Sequence, residues 1–309
     1  MWNEVGKRPY VRTSICIPFL GHTRRGALYP LFKRKITVAD LLKQGRKDIT
    51  HTMPETAVNV TLLEKSPHPT AMTATAARTC YSANEPAAIV QRWERKPDDM
   101  IQTVDRVRSA GHHSTLEHNI YVFGVTGLSR AATHQLVRHR HLQFDQQSQR
   151  YLAFKDADFP YVKPKRLSSL PELSARFDEL MREIGETYQA LLAAGLPGED
   201  ARFVLPNAAA SQLVVSGNAR AWYEFLTLRT CNMAQWEIRE MAFAILRILK
   251  REDPVLFRDA GATCVRGYCH EPNGPECPRY ISVIKAQIDG AKKAEHWLAG
   301  RRNGTRTTS

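Results

Sequence analysis

A predicted strand that runs almost directly into a predicted helix constrains the fold of this chain most strongly. Residues 119–125 are rich in Ile, Tyr, Val and Phe on both faces, which is typical of a strand buried on both sides. Three residues later the pattern changes to helical spacing over residues 128–138, and Ser129 can cap that helix. The apolar positions on one face of the helix are Leu128, Ala131, Ala132 and Leu136.

Similar patterns predict further strands and helices along the chain. The sequence predicts strands near Val58–Leu63 and over 212–216, and it predicts that Asn218 caps the helix that follows the second of these. There is no internal repeat and no low-complexity linker. The other predicted helices cover residues 70–78, 87–93, 101–109, 171–194, 199–203, 219–228 and 234–250.

Residues 138–151, RHRHLQFDQQSQRY, follow the first helix and consist mainly of Arg, His and Gln. No apolar period runs through them, so packing in a core does not explain their composition. One interpretation is a site for an anionic ligand with many oxygens, because guanidinium groups match phosphate geometry with two hydrogen bonds. The other interpretation is a solvated surface loop, which is the usual role of a charged run.

The positive charge of the chain is concentrated at its N-terminal end. Residues 1–50 contribute +8 of the formal net charge of +13, which leaves +5 for the other 259 residues. This distribution weakens the case that the part of the chain after residue 50 binds nucleic acid, and we expect no nucleic acid partner. We predict a basic N-terminal extension over residues 1–56, a folded domain over 57–290 and a basic, frayed tail over 291–309.

Other whole-chain features favour a cytoplasmic protein. No run of about 18 apolar residues exists, so we expect no membrane span. The N-terminus lacks the order of regions found in a secretory signal. Six cysteines in 309 residues are too sparse for a disulfide scaffold, and a reducing compartment is expected.

Two clusters contain residue types that bind metals. His112, His113, Glu117 and His118 precede the predicted buried strand, but their order differs from the H-E-x-x-H zinc helix. They could instead form structural hydrogen bonds or line a ligand pocket. The second cluster has C-x4-C-H-x6-C spacing without the C-x2-C pair common in zinc sites, and free thiols are the alternative. We predict no metal at either. The second cluster is Cys264, Cys269, His270 and Cys277.

Nucleotide-binding loops built from glycine are absent. The sequence contains neither a G-x-G-x-x-G turn after a strand nor a G-x-x-x-x-G-K-[ST] loop. A nucleotide would have to be bound by cationic side chains. Arg202 and Arg229 each follow apolar residues in predicted helices, where a guanidinium needs an anionic partner or reaches to solvent.

The ordered motifs of the chain resemble those of the flavin-dependent thymidylate synthases. Residues 138–140 and Ser148 fit the R-H-R-x7-S signature of that family, and Arg150 and Tyr151 extend the match. The similarity covers roughly residues 57–280. Further similar stretches, in order, are residues 77–82, 112–118, 201–206, 218–220, 228–229 and 234–238.

The resemblance implies both a fold and a reaction. Family members have an α+β fold with an antiparallel or mixed sheet and packed helices, and they form homotetramers with active sites shared between subunits. They bind FAD, use NADPH as reductant and transfer a one-carbon unit from 5,10-methylenetetrahydrofolate to dUMP, which gives dTMP. The expected activity is therefore that of a methyltransferase.

The resemblance also implies roles for individual residues. Arg229 would lie at the uracil ring and favour its ionisation, while Ser148 would hydrogen-bond dUMP rather than act as a nucleophile. The residues expected to bind dUMP are Gln135, Arg138, Gln146, Gln147, Ser148, Gln149, Arg150, Arg202 and Arg229. The residues expected to contact FAD are Ser114, Arg138, His139, Arg140, Gln146, Asn218, Arg220 and Glu224.

This chain departs from the family pattern at a few positions. Gln143, Asp145 and Gln146 stand where the family often has Ser, Asn and Glu, and Glu224 replaces a frequent Asn. A change in charge at these positions is compatible with another acceptor, so methylation or hydroxymethylation of UMP or dCMP is an alternative. A non-catalytic relative that binds nucleic acid is a third hypothesis.

Overall fold

The computed structural model describes residues 55–154, 158–266, 269, 271, 272, 274–279 and 282. The predicted tail and almost all of the predicted N-terminal extension lie outside the described residues, and so does His270. The described residues belong to one compact unit.

Four strands form an antiparallel sheet in the order β1–β2–β4–β3. The register places Val125 of β2 opposite Val60, and it pairs Val215 of β4 with Phe123 on one side and Phe144 on the other. The strands are β1 (Asn59–Lys65), β2 (Ile120–Ser129), β3 (Gln143–Gln146) and β4 (Ala210–Asn218). Together with the helices, this sheet confirms the predicted α+β class, with the antiparallel rather than the mixed arrangement.

The structure corrects the predictions for the first strand–helix unit. β2 extends to Ser129, so Leu128 is a fully buried strand residue and the helix begins only at Arg130. The prediction that this strand is buried on both faces was wrong for the single chain, because only one face of β2 is fully covered. Tyr121 and Phe123 are fully buried, but Val122 on the other face is only half-buried.

β3 was not predicted. It is an edge strand of four residues in which Phe144 is half-buried while Gln143 and Asp145 are exposed. One apolar residue is too little for a period of two to be visible in the sequence. The strand exists because its backbone pairs with β4, a contact between residues about 70 positions apart.

The helices agree closely with the predicted ranges. The longest, α5, covers Pro171–Ala193 and ends before Gly195, a glycine with a positive φ of 89° that terminates the helix. Residues 113–118 and 202–204 form short 3-10 turns. The α-helices are α1 (Pro69–Thr79), α2 (Pro86–Arg95), α3 (Pro97–Ser109), α4 (Arg130–Leu136), α5, α6 (Gly198–Ala201), α7 (Ala219–Arg229) and α8 (Trp236–Glu252).

Side-chain caps start the helices that follow β2 and β4. The Ser129 hydroxyl accepts a hydrogen bond from Ala132 N at 3.1 Å, and Asn218 Oδ1 accepts one from Ala221 N at 2.8 Å. Both caps were predicted from the residue type. Gln235 caps α8 in the same way, which was not predicted. Each cap satisfies a backbone donor that the helix itself cannot pair.

The main core lies where the sheet meets α7 and α8. Trp222 of α7 packs edge-on against Phe123 of β2 at a ring distance of 5.0 Å, and Phe225 continues the aromatic cluster. Gly217 of β4 lets Leu142 approach closely, because a Cβ there would lie 2.4 Å from a Leu142 methyl carbon. The segment that carries Arg138 and His139 is thereby held against the sheet.

A buried carboxylate joins α8 to the end of β2. Glu237 is 3% exposed, and its two oxygens accept hydrogen bonds from the Ser129 backbone N and hydroxyl, each at 2.8 Å. Gln235 donates a third hydrogen bond to it at 2.9 Å. Because Ser129 also caps α4, Glu237 fixes the point at which the chain turns from strand to helix.

We expect Glu237→Ala to lower the free energy of unfolding by about 2–4 kcal/mol, because it leaves buried donors of Ser129 without an acceptor. Chemical denaturation of the purified protein measures this loss. The matched control is Glu240→Ala on the same helix, whose ion pair with Lys165 is largely exposed and should contribute less than about 1 kcal/mol. Equal stability of the two variants would contradict the role given to Glu237.

Candidate active site

Two strand–helix junctions position the predicted site residues. The β2–α4 junction leads to Arg138 and His139, and the β4–α7 junction leads to Arg229 at the end of α7. The His139 ring packs edge-on against Phe225 of α7 at 5.4 Å. His139 of the signature segment and Phe225 of α7, 86 positions apart in sequence, therefore meet at one place.

His139 is buried and neutral at physiological pH. Burial lowers the pKa of its imidazole below the usual value of 6.5, and the positive charge of Arg229 lowers that pKa further. Glu224 acts in the opposite direction but more weakly. The Nε2 atom of His139 is buried, and the structure gives it no hydrogen-bond partner among the described residues.

Arg229, unlike Arg220 on the same helix, has no counter-ion among the described residues. Its side chain is half-buried, its Nε has no hydrogen-bond partner, and no described carboxylate forms an ion pair with it. Burial lowers the pKa of the guanidinium from its usual value, although an arginine keeps its charge. A desolvated cation without an anion is costly unless a ligand supplies negative charge.

Glu224 and Arg220 form an ion pair on helix α7. Arg220 donates to Glu224 at 3.0 Å and to Glu117 at 2.6 Å. The Glu224 carboxylate, which stands where the family often has Asn, is therefore balanced by an arginine that also ties α7 to the 113–118 turn. His113 in that turn packs against Tyr223, with the ring centroids 5.3 Å apart.

A second group of predicted residues gathers around Glu199. Arg150 Nε forms an ion pair with the Glu199 carboxylate at 2.6 Å, and Arg202 Nε donates to the Glu199 carbonyl at 3.1 Å. The Ser148 hydroxyl accepts a hydrogen bond from Arg150 N at 3.1 Å. Two guanidinium groups thus meet at Glu199, and the Ser148 hydroxyl lies at the backbone of Arg150. Arginine and hydroxyl groups are suitable partners for a phosphate.

The glutamines of the segment have different environments. Gln146 Nε2 donates to the Thr133 and Ser211 hydroxyls at 3.0 and 2.9 Å, so its nitrogen is committed to the protein. Gln147 forms a backbone hydrogen bond to Gln212 and lines a cavity of about 200 Å³. Gln149 has a buried Nε2 without a partner among the described residues.

The remaining predicted residues lie at the surface or serve the fold. Four of them are exposed, and none hydrogen-bonds to the group around Glu199: Ser114, Gln135, Arg138 and Arg140. Asn218 Oδ1 is occupied as the cap of α7, which leaves its amide nitrogen as a donor. One chain therefore presents two clusters, around Arg229 and around Glu199, with exposed arginines beside them.

Sequence reasoning missed the residues that support these side chains. Glu199 lies 49 positions from Arg150, and Thr133 and Ser211 lie 13 and 65 positions from Gln146. No local spacing links such pairs. Only Glu199 could have been noticed in the sequence, because carboxylates are favoured in the first turn of a helix and Glu199 lies in the first turn of α6.

The structure also describes most residues of the two clusters that contain metal-binding residue types. In the described part of the chain, no group of three His, Cys, Asp or Glu side chains has the geometry of a metal site. His112 and His118 are exposed, and Glu117 binds Arg220. Cys264 is buried, whereas Cys269 and Cys277 are half-buried.

Comparison with known proteins identifies the class to which this fold and these motifs belong. Residues 61–255 match the family described as thymidylate synthase complementing protein. A flavin-dependent thymidylate synthase of Geobacter sulfurreducens is 43% identical over 227 residues, which is 73% of this chain and 96% of that protein. A second, from Nitratidesulfovibrio vulgaris, is 40% identical over 243 residues, 74% of this chain and 97% of that protein. The chain belongs to the flavin-dependent thymidylate synthase family.

Solved structures agree with this assignment. The flavin-dependent thymidylate synthase of Helicobacter pylori, complexed with FAD and dUMP, is similar with a TM-score of 0.53 and 26% identity, over 66% of this chain and 99% of that one. A UMP/dUMP methylase of Streptomyces cacaoi has a TM-score of 0.57 at 23% identity, over 67% of this chain and 96% of that one, a likeness of fold alone. Among the described residues, no helix is long and apolar enough to span a membrane.

We predict that acidification destabilises the protein through His139. Its pKa is lowered in the folded state, so the unfolded chain binds the proton more readily below the usual pKa of 6.5, and stability falls as pH decreases from there. His139→Gln should reduce the fall in Tm between about pH 7.5 and 5.5. Exposed His134→Gln is the control. An unchanged pH dependence in the His139 variant would contradict the assignment.

Proposed function

We propose that this protein catalyses the reductive methylation of dUMP to dTMP. In this proposal it holds FAD, uses NADPH as reductant and takes the one-carbon unit from 5,10-methylenetetrahydrofolate. Family membership and the similarity to the Helicobacter pylori enzyme solved with FAD and dUMP support the reaction. The observation in this chain that supports it most is Arg229, a half-buried cation without a counter-ion among the residues that the structure describes.

The chemistry of the described residues fits both ligands. Around Arg229, the partnerless Nε2 of His139 and Nε of Arg229 are buried polar atoms suited to a ligand with several hydrogen-bonding atoms. Around Glu199, two arginines and Ser148 suit the phosphate of a nucleotide. FAD, when bound, would supply hydride chemistry that side chains lack.

Arg229 has the main chemical role in this proposal. A guanidinium beside the uracil ring stabilises negative charge that develops on the ring during methyl transfer. It does so effectively because no carboxylate in the described part of the chain competes for it and because it is partly shielded from water. Neutral His139 next to it can donate or accept a hydrogen bond without adding a second charge.

The other residue roles are proposed from the family motifs. Glu199 would keep Arg150 and Arg202 in place for the phosphate, while Glu224 and Arg220 would form the rim facing the flavin. The proposed dUMP contacts are Gln135, Arg138, Gln146, Gln147, Ser148, Gln149, Arg150, Arg202 and Arg229. The proposed FAD contacts are Ser114, Arg138, His139, Arg140, Gln146, Asn218, Arg220 and Glu224.

A shared-site homotetramer completes the proposal. Arg138 and Arg140 are exposed and are not hydrogen-bonded to the Glu199 group, although the motif gives Arg138 a role with both ligands. Assembly of several copies, as the family resemblance implies, would let these arginines complete a site that one chain leaves open. We also propose a cytoplasmic location, which agrees with the free thiols of Cys80, Cys231 and Cys264.

The acceptor assay tests the reaction. We expect the purified protein to carry a yellow flavin, and to convert dUMP to dTMP when FAD, NADPH and the folate are supplied, with mass-resolved product. UMP and dCMP in parallel reactions test the alternative acceptors. A colourless protein that gains no turnover from added FAD, or one that methylates UMP or dCMP and leaves dUMP unchanged, would contradict the proposal.

We expect Arg229→Ala to lower kcat for dUMP by roughly 10²–10³-fold, the usual loss when a donor that stabilises transition-state charge is removed. Arg182→Ala is the matched control, since Arg182 is exposed on α5 and paired with Glu186. Circular dichroism should show that both variants are folded. Turnover of the Arg229 variant at the wild-type rate would show that the charge is not needed.

A further inference from the structure

Four cysteine side chains line one cavity next to the C-terminal end of α7. The cavity has a volume of about 160 Å³ and is lined by residues 231–233, 262–264, 269, 271, 272, 274, 277 and 279. Neither the proposed reaction nor the ligand contacts use these thiols. The four residues are Cys231, Cys264, Cys269 and Cys277.

Two contacts show how cysteine sulfurs pack at the wall of this cavity. A Cβ at buried Gly274 would lie 2.7 Å from Cys269 Sγ, so the absence of a side chain at Gly274 leaves room for that sulfur. Asn232, the neighbour of Cys231, donates to Cys277 Sγ at 3.3 Å.

Arg279 lines the same cavity. Its guanidinium donates to the Thr230 carbonyl and lies over the Phe243 ring at 4.9 Å. A divalent cation bound by the four sulfurs would stabilise the deprotonated form of each one.

The ligand type and number point to zinc among the divalent ions. Thiolate ligands select thiophilic metals over Mg²⁺ and Ca²⁺, and four cysteines are a common tetrahedral zinc set, with Zn–S distances of about 2.3 Å. Three of the four come from one short segment, and Cys231 comes from the connection after α7. Such a set would join two parts of the chain that are more than 30 positions apart.

We propose that Cys231, Cys264, Cys269 and Cys277 bind one zinc ion. This revises the expectation from sequence that the cysteines bind no metal. No three described side chains yet have metal-site geometry, so binding requires the sulfurs to converge through side-chain rotation. The ion would fasten the 262–279 segment to the residue two positions after Arg229, and so restrain the end of the helix that carries Arg229.

Zinc content of the full-length protein tests the proposal without reference to activity. We expect one zinc ion per chain after purification from zinc-supplemented medium and gel filtration without chelator. Cys264→Ser and Cys231→Ser should each lose most of this zinc, while Cys80→Ser, which removes an exposed thiol on the far end of α1, should retain it. Circular dichroism identifies variants that fail to fold, and Cys231→Ser, at a half-buried position, is the milder change.

Cobalt provides an independent readout on the wild-type chain. Co²⁺ added to the metal-free protein should give thiolate-to-cobalt charge-transfer bands and the intense visible bands of a tetrahedral site, and zinc should displace it. The Cys264 variant should lack these bands. A wild-type protein without zinc and without cobalt bands, or with equal zinc in the Cys80 and Cys264 variants, would overturn the proposal. Recovery of a disulfide among these cysteines in place of metal would also overturn it.

Discussion

The buried Glu237 carboxylate is the interaction on which the arrangement of the site depends. It binds both hydrogen-bond donors of Ser129, the residue at which β2 ends and α4 begins. The same serine hydroxyl caps α4, so one side chain of α8 fixes a strand end and a helix start together. The direction in which the chain leaves α4 determines where Arg138 and His139 lie, and hence whether His139 can pack against α7.

The electrostatics of the site follow from an uneven distribution of carboxylates. Arg150 and Arg220 have anionic partners, and Arg202 has a carbonyl partner, so each is held in one geometry. Arg229 has no such partner among the described residues, although burial makes its charge more costly. Paired arginines position a ligand, whereas an unpaired one is free to respond to charge that forms on it. This difference separates the proposed phosphate contacts from the proposed catalytic residue.

Local chemistry explains why much of the fold could be predicted from the sequence. Ser129 and Asn218 were recognised as caps because their short polar side chains accept hydrogen bonds from the backbone near their own positions. The long helix α5 has a clear apolar period and a glycine stop. The strand β3 was missed because its stability comes from pairing with β4, and its four residues carry no period of their own.

The sequence predicted which residues belong to the site, but not the contacts that these residues make. The motifs named Arg150, Arg202, Gln146 and Arg229, but not the partners that decide what each can do. Glu199 and the hydroxyls that hold Gln146 are distant in sequence, and their contacts exist only after the sheet has formed. For the same reason, spacing alone could not reveal that Cys231 lines a cavity with the later cysteines.

A crystal structure of the protein with FAD and dUMP would test the central claim most directly. The account predicts that the uracil ring lies within hydrogen-bond distance of the Arg229 guanidinium, that the phosphate contacts Arg150 and Arg202, and that Arg138 reaches the site from another copy of the chain. Binding of dUMP at a place away from Arg229, or a complete site formed without Arg229, would contradict it.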